Sequence, residues 1–196
     1  MCTIALLFQH HPGAPLVIAA NRDELYARTT SGPQRLGQTQ QGHPFAGGRD
    51  EQAGGTWMGV TSAGFVVAIT NQRTMGPPRP NARSRGALVM EALGCGGTEP
   101  AVALLRAVDG RDYNGFNLLI GDTESLYVVY GRSDRRRLVI ELVSPGAHVL
   151  GNDLLDAPDN PKVQRVLGRL SAVTAEGPLS AQRLGRFPCH CPSGEP

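Results

Sequence analysis

Thr3-Ile4-Ala5-Leu6-Leu7-Phe8 and Leu16-Val17-Ile18-Ala19-Ala20 are two apolar runs separated by His10-His11-Pro12-Gly13-Ala14-Pro15. The separator is turn chemistry, because Gly is free to take positive φ and Pro fixes φ. The stretch therefore predicts an antiparallel hairpin. With a turn near Pro12-Gly13, facing residue numbers sum to about 25. That register sets Cys2 opposite Arg22 or Asp23, at the start of Asn21-Arg22-Asp23-Glu24. Both runs are apolar on both faces, which predicts a buried central pair. Charged residues closing a buried strand are costly unless they find partners there.

Cys2 follows the initiator Met1, and a small second residue permits removal of that Met. Processing would leave an α-amine beside the thiol of the same residue. An α-amine titrates near ~7.7–8.0 and a free thiol near ~8.5, so the amine can take the thiol proton near neutral pH. Nucleophile and base then belong to one residue. A guanidinium at Arg22 would favour the thiolate. The alternative is that Cys2 is a small apolar residue at a strand start, a common setting for free Cys.

Further motifs follow in a fixed order. Ala19-Ala20-Asn21-Arg22-Asp23-Glu24-Leu25-Tyr26 is succeeded by Gly48-Arg49-Asp50 and Gly54-Gly55-Thr56-Trp57-Met58-Gly59-Val60. Then come Ala68-Ile69-Thr70-Asn71, Arg83-Ser84-Arg85-Gly86, Tyr113-Asn114-Gly115-Phe116-Asn117-Leu118-Leu119 and Gly151-Asn152-Asp153-Leu154-Leu155-Asp156. Together they resemble the NRDE family, also called the transport-and-Golgi-organisation family, from Met1 to about Leu170. That family is similar in fold, and in the position of Cys2, to N-terminal-nucleophile hydrolases of the penicillin-acylase and bile-salt-hydrolase type. The resemblance implies an α+β fold, the αββα four-layer sandwich. It implies no settled reaction. Family members are connected with secretory-pathway organisation and with haem or lipid metabolites.

Composition agrees with one folded domain, read as 1–175, with 176–196 as an unstructured tail. Forty per cent of the 196 residues are apolar and 18% charged, which argues against wholesale disorder. The 25 Gly and 15 Pro favour short strands and many turns over a helix bundle. A net charge of +2 gives no footprint for nucleic acid. Of the 19 basic residues only Lys162 is not Arg, a codon bias that suggests a GC-rich bacterial genome. Four scattered Cys (2, 95, 189 and 191) suggest no disulfide framework and a reducing compartment. No leader and no run of ~20 apolar residues is present, so the default is a soluble cytoplasmic protein.

Along the chain, residues 27–56 read as a loop-rich excursion walling a pocket. Trp57–Thr61 and Phe65–Thr70 read as a second hairpin about Ser62-Ala63-Gly64. Residues 74–83 form a Pro-rich connector. Ala87–Leu93 reads as a helix stopped by Gly94-Cys95-Gly96-Gly97, and Thr98 as the cap of the next, with Pro100 in its first turn. Short strands are expected at Asn117–Ile120, Leu126–Tyr130, Leu138–Val143 and His148–Leu150, with the basic run Arg132–Arg137 as a solvated hairpin tip. Pro161–Val173 shows one apolar face of Val163, Val166, Leu167 and Leu170. Cys189-His190-Cys191 lacks the paired spacing of a zinc site, so no metal is expected. The family resemblance implies further strands and a Gly-Thr-Arg segment beyond this point, so the chain reads as truncated or frame-shifted near residue 180.

The resemblance also implies roles. Cys2 would be the nucleophile, Arg22 would stabilise thiolate or substrate charge, and Asp23 would orient the α-amine. Asn71, with Asn152, would donate to an oxyanion. Asn21, Arg49 and Trp57 would contact the ligand. The substrate would be a small amide- or acyl-containing molecule, with no cofactor required. The alternative is a non-catalytic carrier or trafficking protein for haem or an acyl lipid on the same fold, with Trp57 lining its cavity.

Overall fold

The computed structural model describes residues 2–24, 27–73 and 77–175. The first hairpin is β1 (Thr3–His11) and β2 (Ala14–Asn21). Facing numbers sum to 24 from Thr3↔Asn21 to Phe8↔Leu16, then to 25 at His11↔Ala14. The shift falls at Gln9, whose φ of 47° marks the irregularity. This register continues to Cys2 opposite Arg22. Of this pair, β1 is the buried strand, from Thr3 to Phe8. It lies between β2 and β10 (Gly146–Leu150), whereas β2 is half-exposed. Apolar character on both faces of β2 therefore overstated its burial, because its outer edge has no neighbour among the described residues.

Residues 27–56 depart most from expectation. They form β3 (Thr30–Gln38) and β4 (Pro44–Asp50), a hairpin at the edge of a large sheet. The reason is legible afterwards. β3 is mostly exposed and its register shifts twice, once across Gly32-Pro33. An edge strand tolerates Pro and lacks the alternation that signals a buried one. The second hairpin is β5 (Met58–Thr61) and β6 (Val66–Asn71), turning at Gly64 with φ of +86°. β7 (Phe116–Gly121), β8 (Leu126–Gly131) and β9 (Val139–Leu142) complete a seven-stranded antiparallel sheet in sequence order from β3 to β9. Arg132–Arg137 is the turn between β8 and β9, exposed from Asp134 onward. α1 (Arg85–Gly94) and α2 (Thr98–Ala107) follow β6, and α3 (Pro161–Ala175) follows β10. Thr98 does not cap α2. That position belongs to Gly97, and the Thr98 hydroxyl instead donates to Asp122 at 2.5 Å.

Strand alternation builds four layers. In β7, Phe116, Leu118 and Ile120 meet Leu88 and Val89 of α1 and Leu105 of α2, while Leu119 points to the other face. There it joins Ala68, Val128 and, from the small sheet, Ile4, Leu6 and Phe8. The opposite face of β1, with Ala5 and Leu7, packs with Val149 on Val163 and Leu170 of α3. The order is helices, seven-stranded sheet, three-stranded sheet, helix: an αββα sandwich of the α+β class. Each fully buried Leu, Ile or Phe contributes roughly 1.5–3 kcal/mol, and these three cores hold the layers together.

A polar clamp joins the two sheets at one rim. Asn117, fully buried, donates through Nδ2 to the carbonyls of Gly151 (3.2 Å) and Asp153 (2.8 Å). Its Oδ1 accepts from Gln72 at 3.1 Å. Thr70 donates to the Gly151 carbonyl at 2.6 Å. The ends of β6 and β7 are thus tied to the segment leaving β10.

Two outcomes follow from these contacts. Asn117→Leu strands the Asp153 carbonyl and the Gln72 amide in a buried site and leaves the Gly151 carbonyl only its Thr70 donor, so it should destabilise the fold by about 2–4 kcal/mol in urea unfolding. His148 places Nδ1 2.6 Å from the Asp156 carboxylate and Nε2 2.9 Å from the Ser144 carbonyl. The Asp156 hydrogen bond holds its pKa above the usual value, against the opposing effect of burial. The stabilising contribution is complete below the unfolded value near ~6.5 and is lost as pH rises through the raised folded pKa. Unfolding free energy should therefore fall as pH rises above about 6.5 more steeply in the wild type than in His148→Gln.

Candidate functional site

Cys2 immediately precedes β1, so the strand's burial fixes where the thiol lies. It opens on a cavity of about 350 Å³. Arg22 and Glu24 enter this cavity from the end of β2, Asp50 from the end of β4, and Trp57 from the approach to β5. Asn71 closes β6, and residues 82–86 lead into α1. Close backbone approach makes this convergence possible. A Cβ on Gly55 would sit 2.5 Å from the Gly86 carbonyl carbon, so only glycine lets the two segments meet.

Asp50 organises one wall. Its Oδ2 receives Arg28 Nη2 at 2.7 Å and Arg22 Nη2 at 3.4 Å. Its Oδ1 accepts the amides of Gln52 and Ala53, both at 3.1 Å. Burial alone would raise the Asp50 pKa, but the hydrogen bonds from Arg28 and from the Ala53 and Gln52 amides outweigh it and hold the carboxylate below its ordinary range. Glu24 reaches Arg22 at 3.6 Å and Arg28 at 3.7 Å. The Arg22 guanidinium lies 4.3 Å from the Trp57 ring centroid, a cation–π contact. Two cations and two anions thus share this wall.

The other wall is built by the segment around Tyr113-Asn114-Gly115. Asn114 pairs with the backbone of Arg79 in both directions, at 2.8 and 3.1 Å. Arg79 also donates to the Tyr113 carbonyl, and Arg83 lies 5.1 Å from the Tyr113 ring centroid. Arg85, the first residue of α1, donates to the Gly115 carbonyl at 3.1 Å. Three arginines are therefore held by backbone carbonyls and an aromatic ring.

Of the eight residues singled out from the sequence, Cys2, Arg22, Trp57 and Asn71 line the cavity. The other four stand outside its lining. The Asp23 carboxylate accepts from Asn21 at 2.5 Å and pairs with Lys162 of α3 at 3.4 Å. Burial raises its pKa, and positive charge that includes Lys162 more than offsets this. The Asp23 carbonyl is the part that faces Cys2, 4.0 Å from Sγ. Asn152 donates to the Asn71 carbonyl and so holds that strand end, while its own Oδ1 is buried with no partner among the described residues. Arg49 is exposed and 3.9 Å from Glu51. Among the described residues no three His, Cys, Asp or Glu side chains converge as a metal site would require, and Cys189, His190 and Cys191 lie outside the described residues.

Asp50, Arg28, Arg85 and Lys162 were not identified as site residues. Asp50 and Arg85 lie inside quoted motifs, but a motif does not say which of its residues turns inward. Lys162 carried only its rarity as a signal. No helix among the described residues is long and apolar enough to cross a membrane.

Comparison with known proteins gives this arrangement its setting. The family Transport and Golgi organisation 2 matches residues 1–184. The Transport and Golgi organization protein 2 homolog of Bos taurus is 31% identical over 166 residues, covering 81% of this chain and 59% of that protein. The Mus musculus homolog is 30% identical over 168 residues with the same shares. The chain thus spans 59% of the length of these relatives. A solved Caenorhabditis elegans N-acylethanolamine-hydrolyzing acid amidase ortholog superposes with a TM-score of 0.63 at 13% identity, over 98% of this chain and 87% of its own. That likeness shows the N-terminal-nucleophile-hydrolase fold. With a match to nearly its whole length, the chain belongs to the Transport and Golgi organisation 2 family.

Proposed function

We propose that this chain binds and cleaves a small amide- or acyl-containing molecule, with Cys2 as an N-terminal nucleophile. The observation that carries this reading is that Cys2 lines a polar cavity with Arg22 and Asn71, immediately before the buried run Thr3–Phe8 of β1. In the reaction, the Cys2 α-amine takes the thiol proton and Sγ attacks the substrate carbonyl carbon. The carbonyl π pair moves to oxygen. Collapse of that oxyanion expels the leaving amine, which receives the proton from the α-ammonium. Water then attacks the thioester, and the acid leaves as the thiol reforms.

The side chains have distinct tasks in this reading. The Asn71 amide lines the cavity, and no described residue engages it in a hydrogen bond, so it is free to donate to the oxyanion. Such a donor is typically worth ~3–4 kcal/mol in the transition state. Asn152 positions Asn71 through its backbone carbonyl. Arg22, steadied by Asp50, Glu24 and Trp57, supplies positive charge on the Cys2 side. Asp23 stands close enough to hold the α-amine once Met1 is gone, because its carbonyl already faces the thiol. A carrier of haem or an acyl lipid would use the same cavity without bond cleavage.

The mature protein should begin at Cys2, and intact-mass measurement reads this directly. Retention of Met1 in most molecules would remove the α-amine mechanism. Cys2→Ala should abolish turnover of an amide panel, by at least about a thousandfold, while leaving ligand affinity in place, because chemistry and not binding depends on the thiol. Full turnover by Cys2→Ala would take the thiol out of the reaction. Unchanged haem or acyl-ligand binding with no wild-type turnover would select the carrier.

A further inference from the structure

The two walls of the Cys2 cavity differ in charge. Arg22 and Arg28 face Glu24 and Asp50 on one side, while Arg79, Arg83 and Arg85 stand on the other with no acid among the lining residues. Five cations against two anions leave an excess of three positive charges. Arg83 finds Glu91 at 3.1 Å, on the protein surface. Arg79 is held by the Tyr113 carbonyl. Arg85 is partly buried, and among the described residues no carboxylate pairs with it. The one hydrogen bond its side chain makes among the described residues, to Gly115, uses one of five N–H donors.

We propose that the ligand of the Cys2 cavity carries an anionic group, a carboxylate or a phosphate, which Arg85 binds while the ligand's carbonyl lies against Cys2. The identity of the reacting end rests on the nucleophile reading above. The anion subsite rests on the charge asymmetry. A cation withdrawn from water without a counter-charge is costly, and an incoming anion relieves that cost. Arg85 and Cys2 line the same cavity, and burial pushes the Arg85 pKa down, with Arg28 adding to this and Glu24 and Cys2 opposing it. The planar guanidinium suits a two-point contact with either oxyanion. The paired arginines of the opposite wall are already neutralised and offer less to a ligand.

Alkylation of Cys2 tests the subsite without requiring turnover or Met1 removal, so its outcome is separable from that of the hydrolase reading. Iodoacetate is a carboxylate and iodoacetamide its neutral counterpart. Peptide mass spectrometry follows Cys2 apart from the other cysteines. The iodoacetate-to-iodoacetamide rate ratio should fall by about fivefold or more in Arg85→Gln, as expected for loss of a nearby, partly screened charge. Arg85→Lys should keep most of the preference, and the exposed Arg35→Gln should leave it unchanged. At fixed ionic strength, butyrate or inorganic phosphate should slow iodoacetamide at wild-type Cys2, and the one that protects identifies the anion class. A folded Arg85→Gln with an unchanged ratio overturns the proposal. Should that variant fail to fold, absence of protection by both anions in the wild type overturns it.

Discussion

Strand β1 is enclosed on every side that a strand can be. β10 and β2 occupy its two edges, the seven-stranded sheet covers one face and α3 the other. A slip of one residue would exchange Ile4, Leu6 and Phe8 with Ala5 and Leu7 and misfit both cores at once. The register is therefore strongly held, and so is the position of Cys2 ahead of it. A thiol placed by the end of such a strand needs few contacts of its own. The only hydrogen-bond contact of the thiol among the described residues is a long one, to the Asp23 carbonyl.

The surrounding side chains are fixed differently. Asp50 gathers two arginines and two backbone amides, and Asn117 gathers two carbonyls and an amide. Both are short polar side chains at strand ends that satisfy several groups together. Removing either leaves more than one partner unsatisfied, which makes both of them structural supports for the site. Asp50 lines the cavity, whereas Asn117 acts through the segment that carries Asn152 and, through it, the Asn71 carbonyl.

Much of this was legible because burial writes itself into the sequence. The β1–β2 hairpin, its register near Cys2, the β5–β6 hairpin and the apolar stripe of α3 all came from periodicity and turn residues. The β3–β4 hairpin was hidden because an exposed edge strand carries no apolar alternation, and Gly32-Pro33 reads as loop. Thr98 was misjudged because a hydroxyl can cap a helix or bind a carboxylate, and Asp122 lies 24 residues away. The site was half legible for a related reason. Several motifs quoted for the resemblance reach the cavity, yet within Gly48-Arg49-Asp50 the inward residue is Asp50, set by alternation along β4. Within Arg83-Ser84-Arg85-Gly86 it is Arg85, set by where α1 begins.

The electrostatics of the two walls also constrain which arginine can do what. Arg22 shares Asp50 and Glu24 with Arg28, so its charge is partly compensated before any ligand arrives. A compensated cation can steady a thiolate or polarise a carbonyl nearby, but it binds an incoming anion weakly, because its carboxylate partners repel that anion. Arg85 has the opposite character. Its only described partner is a neutral carbonyl, and its backbone is pinned by the Gly55–Gly86 contact and by the start of α1. Position is thus supplied by packing and charge is left unspent. Under the function proposed above, a cavity arranged in this way would separate the task of activating Cys2 from the task of holding the ligand and assign each to a different wall.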